Sequence, residues 1–231
     1  MLKNLLARLF KKKANGRPPI PKPLVPSKGS AIDHPHSFGY KCNWLAIPTI
    51  DTDKLASLFR LTATVPCNWE YGIQYSYEGL FFVSPPVDGW SFIVSRNLPC
   101  AEDSRTIELL KDILIDLSTE FGEAQYFGTY RVVGYDCWMK AKNGRLERAY
   151  GFVDSANTIV EGDPTPIEAG YNLYNTFSKE FEDDPDYSAK ADYPDESITM
   201  EIAGAWSINP QDLEDCKDLA PRLGILGVRE W

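Results

Sequence analysis

Apolar residues recur at helical spacing in two stretches of the chain. In residues 104–122 they fall three or four positions apart, at Ile107, Leu110, Ile113 or Leu114, and Leu117. Asp103 or Ser104 can cap the start of this stretch, and Gly122 stands where a helix commonly ends. Residues 51–59 show a shorter version of the pattern behind Asp51 or Thr52. We therefore predict helices over both stretches.

Runs rich in aromatic and β-branched residues, separated by turn signals, indicate strands. They occupy residues 37–49, 71–77, 80–84, 90–99, 126–138 and 146–153. Asn143-Gly144, between the last two runs, is the preferred pair for a two-residue hairpin turn because both positions need a positive φ. Glu78-Gly79 and Asp88-Gly89 mark two further turns. The order of these runs predicts an antiparallel meander.

The C-terminal third predicts further elements of both kinds. Residues 165–175 are expected to be helical from Pro166 onward, residues 197–208 to form a strand, and a helix to follow Asn209 as its cap. The tail, residues 223–231, is expected to add a short strand or to dock through Trp231. Residues 43–58 and 203–216 share a tryptophan, a proline-bearing exit and a capped helix. This echo is explained either by an internal duplication or by a recurrent way of leaving a strand.

These elements predict an α+β fold in which a mixed, mostly antiparallel sheet packs against three or four helices. An alternative is the same class of fold built from two duplicated halves. Residues 1–36 are predicted to form a basic amphipathic segment and a proline-rich linker. Five prolines fall within residues 18–26, and proline favours extended chain. Residues 37–231 are predicted to form a single domain.

The charge of the chain is unevenly distributed. The formal net charge is −9, yet residues 1–28 carry eight lysines or arginines and no acid. Without those eight, 16 basic residues of the original 24 face 33 acidic ones, which gives residues 29–231 a formal charge of −17. A field of that sign repels nucleic-acid phosphate and favours cationic partners. We therefore expect a basic protein partner and no nucleic acid.

The first thirteen residues form a possible surface anchor. Leucines and Phe10 would share one helical face, and Lys3, Arg8 and three further lysines occupy the remainder. Asn4 and Arg8 interrupt the apolar run, so the segment lacks the core of a signal peptide and is too short to span a bilayer. It could make weak contact with an anionic membrane surface, or dock as an ordinary helix. A membrane-peripheral interaction protein is therefore one alternative function.

The sequence lacks the usual signatures of catalysis and of bound metal. Its five cysteines are scattered without a Cys-x-x-Cys pair, and its two histidines lie together at His34 and His36. This pattern predicts no zinc site, no disulfide framework, no cofactor and a cytoplasmic location. No Gly-x-Ser-x-Gly and no phosphate-binding loop is present. An enzyme with an unrecognised site remains an alternative, and its polar groups would be Arg131, Asp136, Arg148 and Glu168.

Residues 179–196 are the most acidic part of the chain, with eight acids and two lysines. Such a segment buries little apolar area and is predicted to be an exposed loop. Because aromatic residues dominate the energetics of protein interfaces, we add two aromatic side chains to the predicted binding surface. The predicted partner-binding residues are Glu180, Glu182, Asp183, Asp184, Asp186, Asp192, Asp195, Glu196, Trp138 and Tyr187. No catalytic, cofactor-binding or metal-binding residue is predicted.

Five segments together resemble a bacterial family of largely uncharacterised cytosolic proteins. They are CNWEYG (67–72), PPVDGW (85–90), LSTEFGEAQYFGTYRV (117–132), WMKAKNGRLERAYGF (138–152) and AGAWSINP (203–210). The resemblance covers roughly residues 38–216, and some proteins of this kind resemble immunity proteins, which neutralise antibacterial toxins. The resemblance implies a binding protein that occludes a cationic toxin, with a nuclease as one candidate, and it implies no catalytic residue.

Overall fold

The computed structural model describes residues 23, 25–216 and 222–231, so the predicted amphipathic segment 1–13 lies outside the described residues. Within the described residues the strands are β1 (Cys42–Ile47), β2 (Thr62–Cys67), β3 (Phe81–Val83), β4 (Ser91–Ser95), β5 (Glu123–Tyr130), β6 (Tyr135–Lys142), β7 (Arg145–Val153), β8 (Ala156–Glu161) and β9 (Gly224–Val228). The helices described there are α1 (Thr52–Leu58), α2 (Trp69–Tyr77), α3 (Ser104–Phe121), α4 (Lys179–Asp183), α5 (Tyr187–Lys190) and α6 (Glu196–Trp206).

The described strands form one sheet in the order β2-β9-β3-β4-β1-β5-β6-β7-β8, and every neighbouring pair is antiparallel. β1 is the central strand, between β4 and β5. Four of the described helices, α1, α2, α3 and α6, are seven residues or longer. The predicted α+β class is confirmed.

Helices and irregular chain cover both faces of the sheet. Successive side chains on a strand point to opposite faces, so on β1 Trp44 enters one core and Leu45 the other. Leu45 belongs to the core that includes residues of α1 and α3. Trp44 belongs to the core that includes residues of α2, α6 and the segment 167–191. The central strands are therefore buried on both faces, which explains why they lack a clean alternation of apolar and polar residues.

The strongest local patterns are confirmed in detail. The carboxylate of Asp103 accepts a hydrogen bond from the backbone N–H of Thr106 at 2.8 Å, and α3 ends at Gly122 with φ of 84°. Asn143 and Gly144 join β6 to β7 with φ of 49° and 75°, the left-handed conformations that an Asn-Gly hairpin turn requires. The helix predicted over 51–59 is α1, capped by Asp51.

Two predicted strands are helices. Residues 71–77 belong to α2, in which Trp69, Gly72, Ile73 and Ser76 are buried at helical spacing. Residues 197–206 belong to α6, whose buried residues include Thr199, Met200, Ile202 and Ala203. The predictions were wrong because they gave weight to tyrosine and β-branched side chains and too little to the capping residues Asn68 and Asp195.

Two predicted helices are largely absent. Residues 165–175 contain only a 3₁₀ turn at Glu168–Gly170. From Asn172 onward the backbone pairs with Asp192 instead, because the N–H of Asp192 donates to the carbonyl of Asn172 and the N–H of Tyr174 donates to the carbonyl of Asp192. After Asn209 the described chain forms a 3₁₀ turn at Leu213–Asp215, and residues 217–221 lie outside the described residues. The tail both pairs as β9 and packs Trp231 edge-on against Phe59 and Phe81.

The echo between residues 43–58 and 203–216 does not reflect a repeated structure. The first segment contains a central strand and a helix, whereas the second contains the end of α6 and a 3₁₀ turn. The shared residues therefore serve different structural roles.

The ordered fold begins before the predicted boundary at Ser37. Both carboxylate oxygens of Asp33 accept backbone N–H groups at the start of α2, from Trp69 and Glu70, each at 2.9 Å. The carbonyl of Gly29 accepts a hydrogen bond from the backbone N–H of Asn68. Residues 27–36 are thus part of the folded unit and not a linker. Among the described residues, no helix combines the length and apolar character that a membrane crossing requires.

Candidate functional site

The acidic segment predicted from the sequence lies at the surface beside β6 and β7. Ser178 caps α4, accepting the backbone N–H of Phe181 on its side-chain oxygen, and a second short helix, α5, follows. Glu180, Glu182, Asp183, Asp186, Asp192 and Asp195 are exposed, whereas Asp184 and Glu196 are half-buried. The prediction of an exposed loop therefore holds for six of the eight acids, and part of the segment is helical.

A cluster of aromatic rings anchors this acidic segment to the sheet. Tyr174, which is buried, lies at the centre of the cluster. Phe152 of β7 meets it edge-on at 5.9 Å between ring centroids, and Tyr193 stacks on it at 4.5 Å. Phe181 and Tyr187 pack against Tyr174 from the two short helices. The rings hold α4 and α5 in place despite their short length.

The outer rings of this cluster reach solvent. Phe177 is 63% exposed, Tyr193 44% and Phe181 36%. We call the surface formed by these rings and the acids between them the acidic–aromatic face, which consists of Phe177, Glu180, Phe181, Glu182, Asp183, Asp186, Asp192 and Tyr193. Sequence reasoning found its acids but missed its exposed rings; the signal available was the recurrence of aromatic residues within the acidic segment.

Few cations offset the carboxylates of this segment. Lys190 pairs with Asp184 at 2.6 Å, and this contact lowers the pKa of Asp184. Asp184 and Lys190 lie outside the acidic–aromatic face, and no residue of that face forms an ion pair with a described residue. The face therefore presents unneutralised negative charge next to apolar rings.

The acidic segment ends in a cleft of about 840 Å³ between the β5–β6 turn and the start of α6. We call it the acidic cleft; the carboxylates of Asp136, Asp195 and Glu196 line it, together with Lys41 and Arg131. Asp195 caps α6, accepting the backbone N–H of Ile198 at 2.9 Å. Asp136 enters from the beginning of β6. Two of the predicted partner-binding residues thus line a concave site.

Asp136 is the most deeply buried of the three carboxylates, with 3% of the residue exposed. The hydroxyl of Thr199 donates to its Oδ1 at 3.1 Å. Thr129 lies directly opposite on β5, and its hydroxyl is fully buried beside the carboxylate. Burial raises the pKa of Asp136 to about 7, the two neighbouring hydroxyls oppose the rise, and the carboxylates of Asp195 and Glu196 add to it.

Glu196 is only partly satisfied. Its Oε2 lies 3.8 Å from Nη1 of Arg131, beyond hydrogen-bond distance, and the Arg131 side chain is 67% exposed. Its Oε1 is buried and has no hydrogen-bond partner among the described residues. No described cation therefore neutralises Glu196 at close range.

Trp138 and Tyr187 are not available to a partner, which corrects two of the predicted binding residues. Trp138 is fully buried; its ring stacks on Tyr150 at 4.4 Å, and its Nε1 donates to Glu168 at 2.8 Å. Tyr187 is 8% exposed, and its hydroxyl accepts the backbone N–H of Asn175. Both support the aromatic packing beneath the surface.

The four polar residues considered for an enzyme divide into two separate groups. Arg131 and Asp136 line the acidic cleft. Arg148 and Glu168 form a buried ion pair, with Nη2 and Oε1 at 2.7 Å and additional hydrogen bonds to Glu168 from Trp138 and Thr165. Although burial opposes it, the contact with Arg148 lowers the pKa of Glu168. This pair fastens the 3₁₀ turn to the sheet and does not converge with the cleft.

A smaller cavity of about 400 Å³ lies beside the acidic cleft and shares Lys41 with it. Cys42, Cys100 and Tyr135 are among its lining residues. Burial raises the pKa of Cys42 to about 12 and also raises the pKa values of Cys100 and Cys137. At Cys137 the carboxylate of Asp136 adds to the rise. These thiols are therefore protonated and poorly nucleophilic at neutral pH. Within the described residues, no group of acidic, histidine and cysteine side chains is arranged to hold a metal ion.

No family model matches the chain, and comparison with curated proteins and with solved structures also gave no match.

Proposed function

We propose that the chain is a binding protein of the immunity type, which neutralises a cationic bacterial toxin by occluding it with the acidic–aromatic face. The observation that supports the proposal is the exposure of three aromatic rings among carboxylates that no described cation pairs with. Large exposed apolar side chains that are rimmed by charge are typical of protein interfaces.

The two kinds of side chain would contribute differently to binding. Aromatic rings supply much of the binding energy in protein complexes because they bury a large area at a small entropic cost. Carboxylates supply attraction over a longer range, which speeds encounter with a basic partner and selects against acidic ones. The formal charge of −17 on residues 29–231 acts in the same direction.

The partner to test is the product of the gene adjacent to the one that encodes this chain. Isothermal titration calorimetry measures its affinity for the purified full chain, and a growth assay measures whether the chain protects cells that produce that protein. The informative variant reverses four charges of the face: Glu180→Lys, Glu182→Lys, Asp183→Lys and Asp186→Lys. These side chains are exposed and outside the core, so the variant should fold, which circular dichroism checks.

The matched control reverses four exposed acids elsewhere: Asp53→Lys, Asp112→Lys, Asp116→Lys and Glu147→Lys. Both variants change the net charge by the same amount. We expect the first to raise Kd at least about 100-fold and to abolish protection, and the second to change Kd less than about tenfold. Equal weakening by both would show that overall charge, and not this face, determines binding. Failure of the unaltered chain to bind or to protect would reject the proposal for this partner.

A further inference from the structure

The smaller cavity of about 400 Å³ lies at the end of the sheet where β1 and β6 begin and β5 ends. Small-molecule pockets typically have volumes of about 300–1,000 Å³, so this cavity suits a small ligand. Tyr77 and Tyr135 contribute two rings to its wall. Their hydroxyl groups are engaged elsewhere, since Tyr77 donates to the carbonyl of Tyr40 at 2.8 Å and Tyr135 accepts the N–H of Ala101 at 2.9 Å. The two rings therefore offer apolar area to a ligand.

A buried amide with an unused acceptor also lines this cavity. Asn43 of β1 is 4% exposed, and its Nδ2 donates to the carbonyl of Leu98 at 3.0 Å and to Sγ of Cys100 at 3.3 Å. Its Oδ1 accepts no hydrogen bond from a described residue. Because buried polar atoms normally have a partner, a ligand that brings an N–H or O–H group to this oxygen would complete the amide.

Gly128, directly opposite Asn43 on β5, leaves room for this oxygen. A Cβ atom at position 128 would lie 2.3 Å from Oδ1 of Asn43 and 2.8 Å from the ring of Tyr135. Gly128 is not among the glycines with a positive φ, so its backbone conformation does not require glycine. The space does, and β5 lacks a side chain where the amide oxygen meets the cavity.

Two cations stand at the mouth of the cavity. Lys41 and Arg96 are exposed, and neither forms an ion pair with a described residue, although Lys41 also borders the acidic cleft. Glu102 is the only carboxylate among the described lining residues. The thiols of Cys42 and Cys100 are protonated and add no negative charge. The cavity is therefore a locally cationic site in a chain whose formal net charge is −9.

We propose that the smaller cavity is a binding site for a small organic acid, a single-ring molecule whose carboxylate lies between Lys41 and Arg96 and whose far end donates a hydrogen bond to Oδ1 of Asn43. The cations select the anionic group through charge-assisted hydrogen bonds, and the two tyrosine rings pack on the ring of the ligand. The amide selects the donor, because an analogue without it would leave Oδ1 unpaired. The site includes no residue of the acidic–aromatic face and does not rest on the proposed function.

Three matched probes test the site on the full chain. The first, p-hydroxyphenylacetate, carries both groups, whereas phenylacetate lacks the hydroxyl donor and p-cresol lacks the carboxylate. Nuclear magnetic resonance titration measures each Kd. We expect p-hydroxyphenylacetate to bind with a Kd below about 1 mM and at least about tenfold more tightly than the other two. Equal binding of phenylacetate overturns the contact with Asn43, equal binding of p-cresol overturns the anionic class of ligand, and no binding of any probe at about 10 mM overturns the site.

Alkylation of cysteine locates the bound probe. Cys100 lines the cavity and is half-buried, and Cys216 is also half-buried but does not line it, so Cys216 is an internal control. Mass spectrometry measures the rate at which iodoacetamide modifies each thiol at mildly alkaline pH. At about ten times its Kd, p-hydroxyphenylacetate should slow the modification of Cys100 about tenfold and leave that of Cys216 unchanged. An unchanged rate at Cys100, or equal protection of both thiols, overturns the proposal.

A pair of double variants tests the role of the two cations. Lys41→Gln with Arg96→Gln removes both charges at the mouth, and the control, Lys142→Gln with Arg145→Gln, removes the same charges from exposed residues that flank the β6–β7 turn. The first should weaken p-hydroxyphenylacetate at least about tenfold, and the second should leave its Kd unchanged. Retained affinity in the first variant, or an equal loss in the control, overturns the proposal. Thermal unfolding checks that both variants are folded.

Discussion

The carboxylate of Asp136 lies where the start of β6, the start of α6 and the β5–β6 turn meet. Its strand position is unremarkable, since Thr129 opposite it is an ordinary neighbour in a ladder. Besides burial and the hydroxyl of Thr129, the groups that alter its pKa come from residues distant in sequence: Thr199, Asp195 and Glu196. Burial in their company explains why a single aspartate in a strand can titrate near neutrality.

This surrounding chemistry predicts a pH-dependent stability. Burial raises the pKa of Asp136 to about 7 in the folded chain, against about 3.9 for an unfolded aspartate. The folded state therefore holds the proton more tightly, so the stability that Asp136 contributes is full below about pH 4 and is lost as the pH rises through 7. The groups that line the cleft with Asp136 are Asp195, Glu196, Lys41, Arg131 and Tyr40.

Asp136→Asn should remove this dependence. Urea unfolding of both proteins is measured between pH 4 and pH 8. The stability of the wild-type chain relative to the variant should fall by on the order of 1–4 kcal/mol across that range. A difference that stays constant with pH would show that Asp136 is solvated in the folded protein. The comparison cancels other titrating groups, because both chains contain them.

At the scale of elements, a prediction succeeded where the residues that define the element are close together in the sequence and were given weight. Local signals sufficed for α3 and for the β6–β7 hairpin, since caps and turn residues act within a few positions. The type of α2 and α6 was misjudged because the β preference of their side chains was weighed above the local caps Asn68 and Asp195. Strand order depends on contacts between distant residues and left no local trace.

The residues of the candidate site show the same contrast between what neighbouring residues indicate and what depends on the fold. Its acids could be predicted from the sequence, because a run of charged residues is identified without knowing which residues lie next to it in the fold. Trp138 was misplaced because the sequence of β6 does not show that both faces of the sheet are covered, and its burial depends on Tyr150 and Glu168. The convergence of Asp136 with Glu196 arises only when β6 and α6 meet.

The capping of α2 by Asp33 provides a test at this scale. Asp33→Ala removes an acceptor for the N–H groups of both Trp69 and Glu70, so we expect the free energy of unfolding to fall by about 1–2 kcal/mol. The control is Asp53→Ala, an exposed acid in the first turn of α1 that is not its cap. This substitution should cost less than about 0.5 kcal/mol. Equal effects in urea unfolding would show that residues before Ser37 do not support the fold.

At the scale of the whole molecule, negative charge alone does not single out a binding surface. α3 also exposes acids one turn apart, at Asp112 and Asp116, on its solvent side. What sets the acidic–aromatic face apart is the presence of exposed rings among its carboxylates. Electrostatic attraction acts before the two proteins touch, so it should mainly affect the association rate constant. Apolar burial acts once the complex has formed, so it should mainly affect the dissociation rate constant.

This separation predicts the kinetics of partner binding under the proposed function. The quadruple charge reversal on the face should mainly slow association and weaken the salt dependence, whereas Phe177→Ser, which removes the most exposed of its three rings, should mainly speed dissociation, by about tenfold or more. Ile50→Ser, which removes a side chain of similar exposure elsewhere, should change neither rate constant. Surface plasmon resonance at two salt concentrations measures both. If Phe177→Ser leaves dissociation unchanged, or acts no more strongly than Ile50→Ser, that ring lies outside the interface and the acids would have to act without it.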